Sequence, residues 1–432
     1  MSVSVPLTVG LPVRDGERFV GRAVESLLGQ TFERFRLVIS DNASTDGTGE
    51  ICRAAAASDD RVRYHRHDEN LGAAANFRWA LAQADSEYFK WAAHDDVCEP
   101  TFLEHCLRTL DAEPDVVLSH TGAASIDEEG RRLKRFATHP GLDDADPVRR
   151  YRAALAIGEE ICTFWGVART AALRSGPPLG SYVGHDRVLL AALALRGRLH
   201  HGDEVLFLQR EHRGRSVHTH DWRRPRAAIS WYDPARAGAR VFPTWRLLGE
   251  HARVVALAPQ GPVVRAGAAR ALGAWARGQR RALRHDLVVG VEGQGRLGPL
   301  VATWLDRSSA AVRAAVPAGA TMAFVDQDTL ETEVFGGRIV VPFPSRDGTW
   351  WGLPADDADA VAELERQRAA GVGHLVVADV SYWWLDHYRG FARHLEATSQ
   401  LVHADRAFRV YRLDPAVPVA DHQPAGGTGP GL

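Results

Sequence analysis

Two adjacent carboxylates, Asp95 and Asp96, close the apolar run in FKWAAHDDVCEP, Phe89 to Pro100. Like charges this close oppose each other's ionisation, and a bound cation relieves them. Magnesium and manganese take oxygen ligands, usually one or two carboxylates plus substrate phosphates, with water completing the shell. The plainer alternative is a turn in which the pair caps the helix after Glu99-Pro100. Asp41 raises a similar choice at the end of FRLVISD. It precedes the turn NASTDGT, where Asp46 or Thr48 is suited to capping, so its own carboxylate is placed to accept hydrogen bonds from a base or ribose. A fourth carboxylate, Asp186 in SYVGHDRVLLAAL, opens a helix, where an Asp is ordinarily a cap and the alternative is a group that takes a proton.

These residues need elements that bring them together. From Val5 to His120 the apolar runs VPLTVGLPV, FRLVISD, RVRYHRH, EYFKWAAHD and DVVLSH read as strands. Amphipathic stretches near Glu17 to Leu28, Thr48 to Ala57, Ala73 to Ala84 and Phe102 to Leu110 read as helices between them. This alternation predicts an α/β fold with a mainly parallel, Rossmann-like sheet. Ligands of such sheets bind beyond the carboxyl ends of the strands, which places Pro12 to Arg14, Asp41 and Asp95-Asp96 on one rim.

At this point LPVRDGERFVGRAVESLLGQTF, FRLVISDNASTDGT, NLGAAANF and WAAHDDV, in that order and spacing, resemble the successive motifs of inverting family 2 glycosyltransferases of the GT-A fold. The resemblance covers roughly Val3 to Val217. It implies transfer of a sugar from a nucleotide-diphosphate sugar to a hydroxyl acceptor, a glycan, lipid-linked or secondary-metabolite molecule, with Mn2+ or Mg2+ as cofactor. It makes Asp96 the metal ligand, with Asp95 near ribose or metal, and Asp41 a contact to the base. Pro12, Arg14 and Glu17 fall in the nucleotide loop and Asn70 joins the donor-binding set. LQREHRGRSVH resembles the Arg-x-His segment that closes over the diphosphate, giving Arg210 to phosphate and His212 to the metal. Asp186 stands where the family carries the second residue of its Glu-Asp base motif and becomes the general base. Val13-Arg14 and Ala75-Asn76-Phe77 depart from the usual residues, so the nucleotide stays open, and His185 stands where the base motif carries Glu. Trp165 is suited to stacking on an acceptor ring or to the core.

The remaining sequence bounds the reading. Of 432 residues 45% are apolar and 25% charged, with a net charge of −2, so no broad field for nucleic acid exists and any anion site is local. Of the 52 basic residues only Lys90 and Lys134 are lysine. Cys52, Cys98, Cys106 and Cys162 show no metal or disulfide spacing, which fits a reducing cytoplasm. No leader and no membrane-spanning run are expected. The expected organisation is a catalytic domain over 1–235, a helical connector over 236–307, a second α/β domain over 308–414 and a disordered tail over 415–432. The second domain resembles a module appended to some actinobacterial glycosyltransferases. Its stretch SYWWLDHY is suited to a sugar, a partner or the core. Gly293-x-Gly295-x-x-Gly298 mimics a dinucleotide fingerprint but lacks the acid that should follow, and reads as linker. The Arg-rich stretch VVRAGAARALGAWARGQRRALRHDL reads as one helix that packs on its own domain or lies peripherally on the inner face of an anionic membrane. Oligomeric state is left open. A sugar-phosphate nucleotidyltransferase would need glycines that LPVRDGERF lacks. A binding protein without turnover is the other alternative, kept open by His185.

Overall fold

The computed structural model describes residues 5–139, 141–158, 161–212, 214–215, 225–237, 239, 241–291, 309–326, 335–346, 348–350 and 353–414. It divides into two compact units, Met1–Gly290 and Val291–Leu432. The glycine motif at 293–298 and the tail at 415–432 lie outside the described residues.

The first unit opens with strictly alternating elements: β1 (Leu7–Val13), α1 (Val20–Leu28), β2 (Phe35–Asp41), α2 (Thr48–Ser58), β3 (Val62–Arg66), α3 (Ala73–Ala82) and β4 (Tyr88–Trp91). The short β5 (Val97–Cys98) precedes α4 (Phe102–Ala112), β6 (Val116–Ile126) and β7 (Arg132–Arg135). Then come α5 (Pro147–Leu155), a 3-10 turn at Cys162–Trp165, β8 (Val167–Arg169), α6 (Thr170–Arg174), α7 (His185–Ala194) and β9 (Arg198–Arg210). Helices α8 (Pro225–Tyr232), α9 (Pro243–Ala256), α10 (Pro262–Gly278) and α11 (Arg280–Val291) complete the unit. The predicted single Arg-rich helix is therefore two, parted at Gln279 after Gly278, a poor helix former.

The sheet order is β3-β2-β1-β4-β8-β6-β9-β5, with β7 pairing off this path to the carboxyl end of β6 through Ala124↔Arg135 and Ile126↔Arg132. β1, β2, β3 and β4 pair in parallel; β8 is antiparallel to both β4 and β6, and β6 is parallel to β9. Six strands thus run the same way, and their carboxyl ends share one rim, as the sequence pattern predicts. Every side chain of β1 is buried, as expected of a central parallel strand covered on both faces. Pro12 is tolerated there because pairing with β4 stops at Gly10↔Trp91, so its missing N–H falls beyond that ladder. Two apolar cores flank the sheet. One gathers Val20, Val24, Leu27, Phe102, Leu103 and Cys106 from α1 and α4. The other gathers Tyr151, Leu190, Val254, Ala268 and Leu272 from α5, α7, α9 and α10. Helices α9 and α10 are therefore part of this unit. All four cysteines are buried. No helix among the described residues is long and apolar enough to cross a membrane.

The second unit is a five-stranded sheet in which β10 (Thr321–Val325) lies between β11 (Ile339–Pro342) and β14 (His374–Ala378), all parallel. β16 (Phe408–Leu413) and the edge strand β15 (Ser399–Ala404) continue it in antiparallel pairing. Between β11 and β14 come the hairpin β12 (Ser345–Arg346) and β13 (Thr349–Trp350) and helix α12 (Asp357–Ala369); α13 (Trp383–His387) and α14 (Arg389–Thr398) precede β15. The aromatic stretch resolves in favour of the core, since Trp384 and Tyr388 pack on Phe343 and Phe391. Trp384→Ala is expected to cost about 3–5 kcal/mol of this unit's stability. Urea denaturation followed by far-UV circular dichroism reads that loss; an unchanged midpoint would mean the indole is not part of the core.

Candidate active site

The loop after β1 and the loop after β2 are tied together residue by residue. Gly16 N–H donates to Thr48 Oγ1 at 2.8 Å and Asp15 N–H to Ser44 Oγ at 3.0 Å. Thr45 N–H returns a bond to Asp15 Oδ1 at 2.7 Å. Glu17 accepts from Gly47 N–H at 2.7 Å, while its own N–H donates to Asp46 at 3.0 Å. Asp46 also accepts from Thr48 N–H at 3.1 Å, although the N-cap itself is Gly47, so Asp46 braces the helix start from one residue outside it. Glu17 is therefore a brace between the loops. Arg14, exposed, donates to Asn42 O at 3.1 Å and pairs with Asp15. Gly16 admits no side chain, because a Cβ there would lie 2.5 Å from the ring of His94.

Asp41 is fully buried and its two oxygens are occupied by Ser44 N–H at 2.8 Å and Tyr64 Oη at 2.7 Å, with Arg66 3.7 Å away. Its carboxylate shapes the wall beside the β2 end. Asn70 accepts from Asn42 Nδ2 at 2.8 Å and from Gly72 N–H at 2.9 Å, fixing the segment that leads into α3. Gly72 has φ +80°, and a Cβ there would sit 2.4 Å from Tyr232 O of α8. Gly72→Ala is expected to cost roughly 1–3 kcal/mol. A chemical-denaturation midpoint equal to that of the parent would refute this.

The acidic pair lies between the β4 end and β5, and β5 pairs with β9 through Val97↔Leu208 and Cys98↔Phe207. That pairing separates the two carboxylates. Asp96 turns inward and accepts from Arg210 N–H at 2.9 Å, lining a small cavity with Lys90, Ser26, Cys98 and Phe207. Asp95 faces His212, whose Nε2 lies 3.0 Å from its Oδ2. Burial, then the charge of Asp95, pushes the Asp96 carboxyl up. Burial works the same way on Asp95, but His94, the hydrogen bond and charge of His212, and Arg215 outweigh it and hold Asp95 down. The surroundings thus push the two carboxyls in opposite directions, Asp96 up and Asp95 down. Lys90 supports the turn from below: its buried Nζ donates to the carbonyls of Trp91 and Trp165 and sits 4.7 Å over the Phe102 ring.

Arg210 is only 2% exposed. Its guanidinium donates to Asp95 O at 3.0 Å, Asp127 O at 2.9 Å and Glu128 O at 3.0 Å, and lies over Phe19. Through these bonds it clamps the loop that presents Asp95. Arg215 is the nearby cation that sequence reading passed over. It pairs with Glu211 at 2.6 Å, and both Asp95 and Asp96 lie within its electrostatic reach. Phe19 was also missed, although it stands in the quoted first motif; its ring is the shelf for His212 at 4.7 Å and for Arg210.

Asp186 lies in the first turn of α7, whose N-cap is Gly184 in the left-handed region with no side-chain cap. The carboxylate is partly exposed; Oδ1 accepts from Arg187 N–H at 2.8 Å, and Oδ2 has no hydrogen bond among the described residues. His185 turns away into Tyr232 and Tyr182 O, and burial holds its ring neutral. No hydrogen bond or ion pair joins Asp186 to Asp95 or His212 among the described residues. The two are linked through aromatic packing: His185 on Phe164, and Phe164 stacked on Trp91 at 5.2 Å at the β4 end. Trp165 packs into the same cluster with Phe77.

As a metal centre, the described residues hold no group of three or more His, Cys, Asp or Glu side chains. The Asp95–His212 pair supplies one hard oxygen and one imidazole nitrogen, a donor set that fits Mn2+ or Mg2+ where substrate phosphates and water complete the shell.

Residues 8–173 match the model of glycosyl transferase family 2. An uncharacterized glycosyltransferase of Rickettsia felis is 31% identical over 138 residues, 31% of this chain and 22% of that protein. Glycosyltransferase GlyG of Streptococcus pneumoniae is 30% identical over 116 residues, 26% of this chain and 38% of that protein. The chain therefore spans well under half the length of these relatives. Among solved structures, S. aureus TarS 1–349 in complex with UDP overlays with a TM-score of 0.46 at 15% identity, covering 71% of this chain and 80% of that one. Mannosyltransferase PcManGT from Pyrobaculum calidifontis, in complex with GDP-Man and Mn2+, gives 0.42 at 16% identity, covering 72% and 81%. Neither overlay bears on ligand or mechanism here.

Proposed function

We propose, from the match of residues 8–173 to the model of glycosyl transferase family 2, that the chain is a metal-dependent, inverting glycosyltransferase acting on a nucleoside-diphosphate sugar. The observation that carries the reading is the Asp95–His212 pair at the rim where the strands end. Asp95 and His212 would hold the divalent cation, and Asp96 instead fixes the strand end. When bound, the cation offsets the negative charge that grows on the departing diphosphate. Arg215 adds a positive charge on the same side. The braced loops carrying Arg14, Glu17 and Asn70 form the nucleotide wall, backed by Pro12 and Asp41.

Asp186 Oδ2 accepts the proton of the acceptor hydroxyl as that oxygen attacks the anomeric carbon from the face opposite the leaving group. Configuration inverts and no covalent sugar intermediate forms. Positioning and charge stabilisation supply most of the rate. The acceptor is a hydroxyl of a glycan or lipid-linked molecule, and the setting is cytoplasmic. His185 in place of a carboxylate favours one second reading, a nucleotide-sugar-binding protein without turnover.

Screening nucleotide sugars by thermal shift with and without Mn2+ tests this. A donor should raise the melting temperature more when Mn2+ is present, and nucleoside diphosphate should then be released. Binding with no release under any acceptor tried would support the second reading. No shift with any nucleotide sugar would sink both.

A further inference from the structure

The charge of this chain is segregated. Residues 241–290 hold eight arginines and two acids, leaving 44 basic against 52 acidic residues elsewhere. Both acids are buried and spent internally: Glu250 on Arg246 at 2.7 Å, and Asp286 on the N–H groups of Thr244 and Trp245. Arg253, Arg265, Arg270, Arg277, Arg280 and Arg284 are all exposed. No carboxylate of this block reaches the surface to balance them.

Large apolar side chains are exposed on the same block. Val263 is 81% exposed, Leu257 51%, Leu287 47% and Trp245 42%. Leu257 and Val263 flank the turn between α9 and α10, with Arg253 one helical turn before and Arg265 just after. The inner faces of these helices are already satisfied, since Val254, Val255, Ala268, Ala271 and Leu272 are buried in the first unit. Folding of the unit therefore does not account for the outward apolar groups.

We propose that the outer face of α9, α10 and α11 docks on an anionic lipid bilayer, with Leu257 and Val263 entering the acyl boundary and the arginines pairing with headgroup phosphates. Aliphatic groups at a helical corner ringed by arginine suit acyl chains; a nucleic-acid backbone has nothing to receive them. The face also adjoins the segment that carries Asp186: Leu247 of α9 lies beside Gly184, where a Cβ would be 3.1 Å from it, and Arg246 lies over Tyr182. A bilayer there brings a lipid-linked hydroxyl toward α7. Docking itself does not depend on sugar transfer, because it is measured without donor.

The test is flotation of the full chain with vesicles of phosphatidylcholine, with and without phosphatidylglycerol, at low and high salt. The chain should float with the anionic vesicles only and be released by salt. Arg265→Glu combined with Arg270→Glu should weaken partitioning about tenfold or more, and Leu257→Ser with Val263→Ser should weaken it while keeping its salt dependence. Circular dichroism confirms that each variant remains folded; all four side chains are exposed. Absence of flotation with anionic vesicles overturns the proposal. So does flotation unchanged in both variants, or full displacement from the vesicles by duplex DNA.

Discussion

Asp186→Asn is expected to lower kcat by about 10²–10⁴-fold, the usual contribution of a positioned general base, with the donor's dissociation constant nearly unchanged. Asparagine keeps the shape of the side chain and the bond from Arg187 N–H to Oδ1. What it removes is a carboxylate oxygen able to take a proton. Because Asp186 stands in the first turn of α7 with Gly184 as cap, a purely structural role predicts a different pattern. In that case Asp186→Asn would lower the melting temperature by a few degrees and leave kcat close to the parent. Single-turnover transfer at saturating donor, beside calorimetric donor binding, separates the two. Loss of donor affinity with unaltered turnover would remove Asp186 from the chemistry.

The second large effect distinguishes the neighbouring carboxylates. Asp95→Asn should reduce turnover by about 10²–10³-fold, the scale for losing one element of leaving-group stabilisation, and raise the Mn2+ concentration needed for half activity. Asp96→Asn should be milder, because the amide oxygen still accepts from Arg210 N–H. The sequence motif alone assigns the metal to Asp96. In the structure it is Asp95 that meets His212, and the proposed site therefore moves the metal to Asp95. Steady-state rates for both variants over a Mn2+ titration decide it: a greater loss in Asp96→Asn would restore the original assignment.

The reason sequence could locate the pair and not orient it is physical. β1 to β4 and the helices between them follow from local pattern, short apolar runs alternating with amphipathic turns, and they place the rim. The direction of each carboxylate depends on β5 pairing with β9, more than a hundred residues away. β9 itself was hidden, because HHGDE interrupts its apolar pattern where the register with β6 shifts between His120 and Gly122. Arg210 shows the same limit. Its neighbours in sequence suggest an exposed basic loop, but the carbonyls of Asp95, Asp127 and Glu128 arrive from distant segments and accept from its Nε and Nη1. Asp46 needed no such information, since its partner Thr48 is two residues away. In the second unit the aromatic stretch was ambiguous for the converse reason: a helix with several large rings has a buried face only once a sheet exists to cover it.

The central claim is that Asp95 and His212 together grip a divalent cation against a nucleoside diphosphate. Electron paramagnetic resonance of Mn2+ titrated into the full chain, with UDP, GDP, CDP and dTDP tried in turn, tests it without any need to know the sugar or the acceptor. The account predicts that one of these nucleotides draws Mn2+ into a bound signal, and that the signal disappears in Asp95→Asn and in His212→Ala. Nucleotide bound equally well under chelation, or a Mn2+ signal that survives both substitutions, would contradict it.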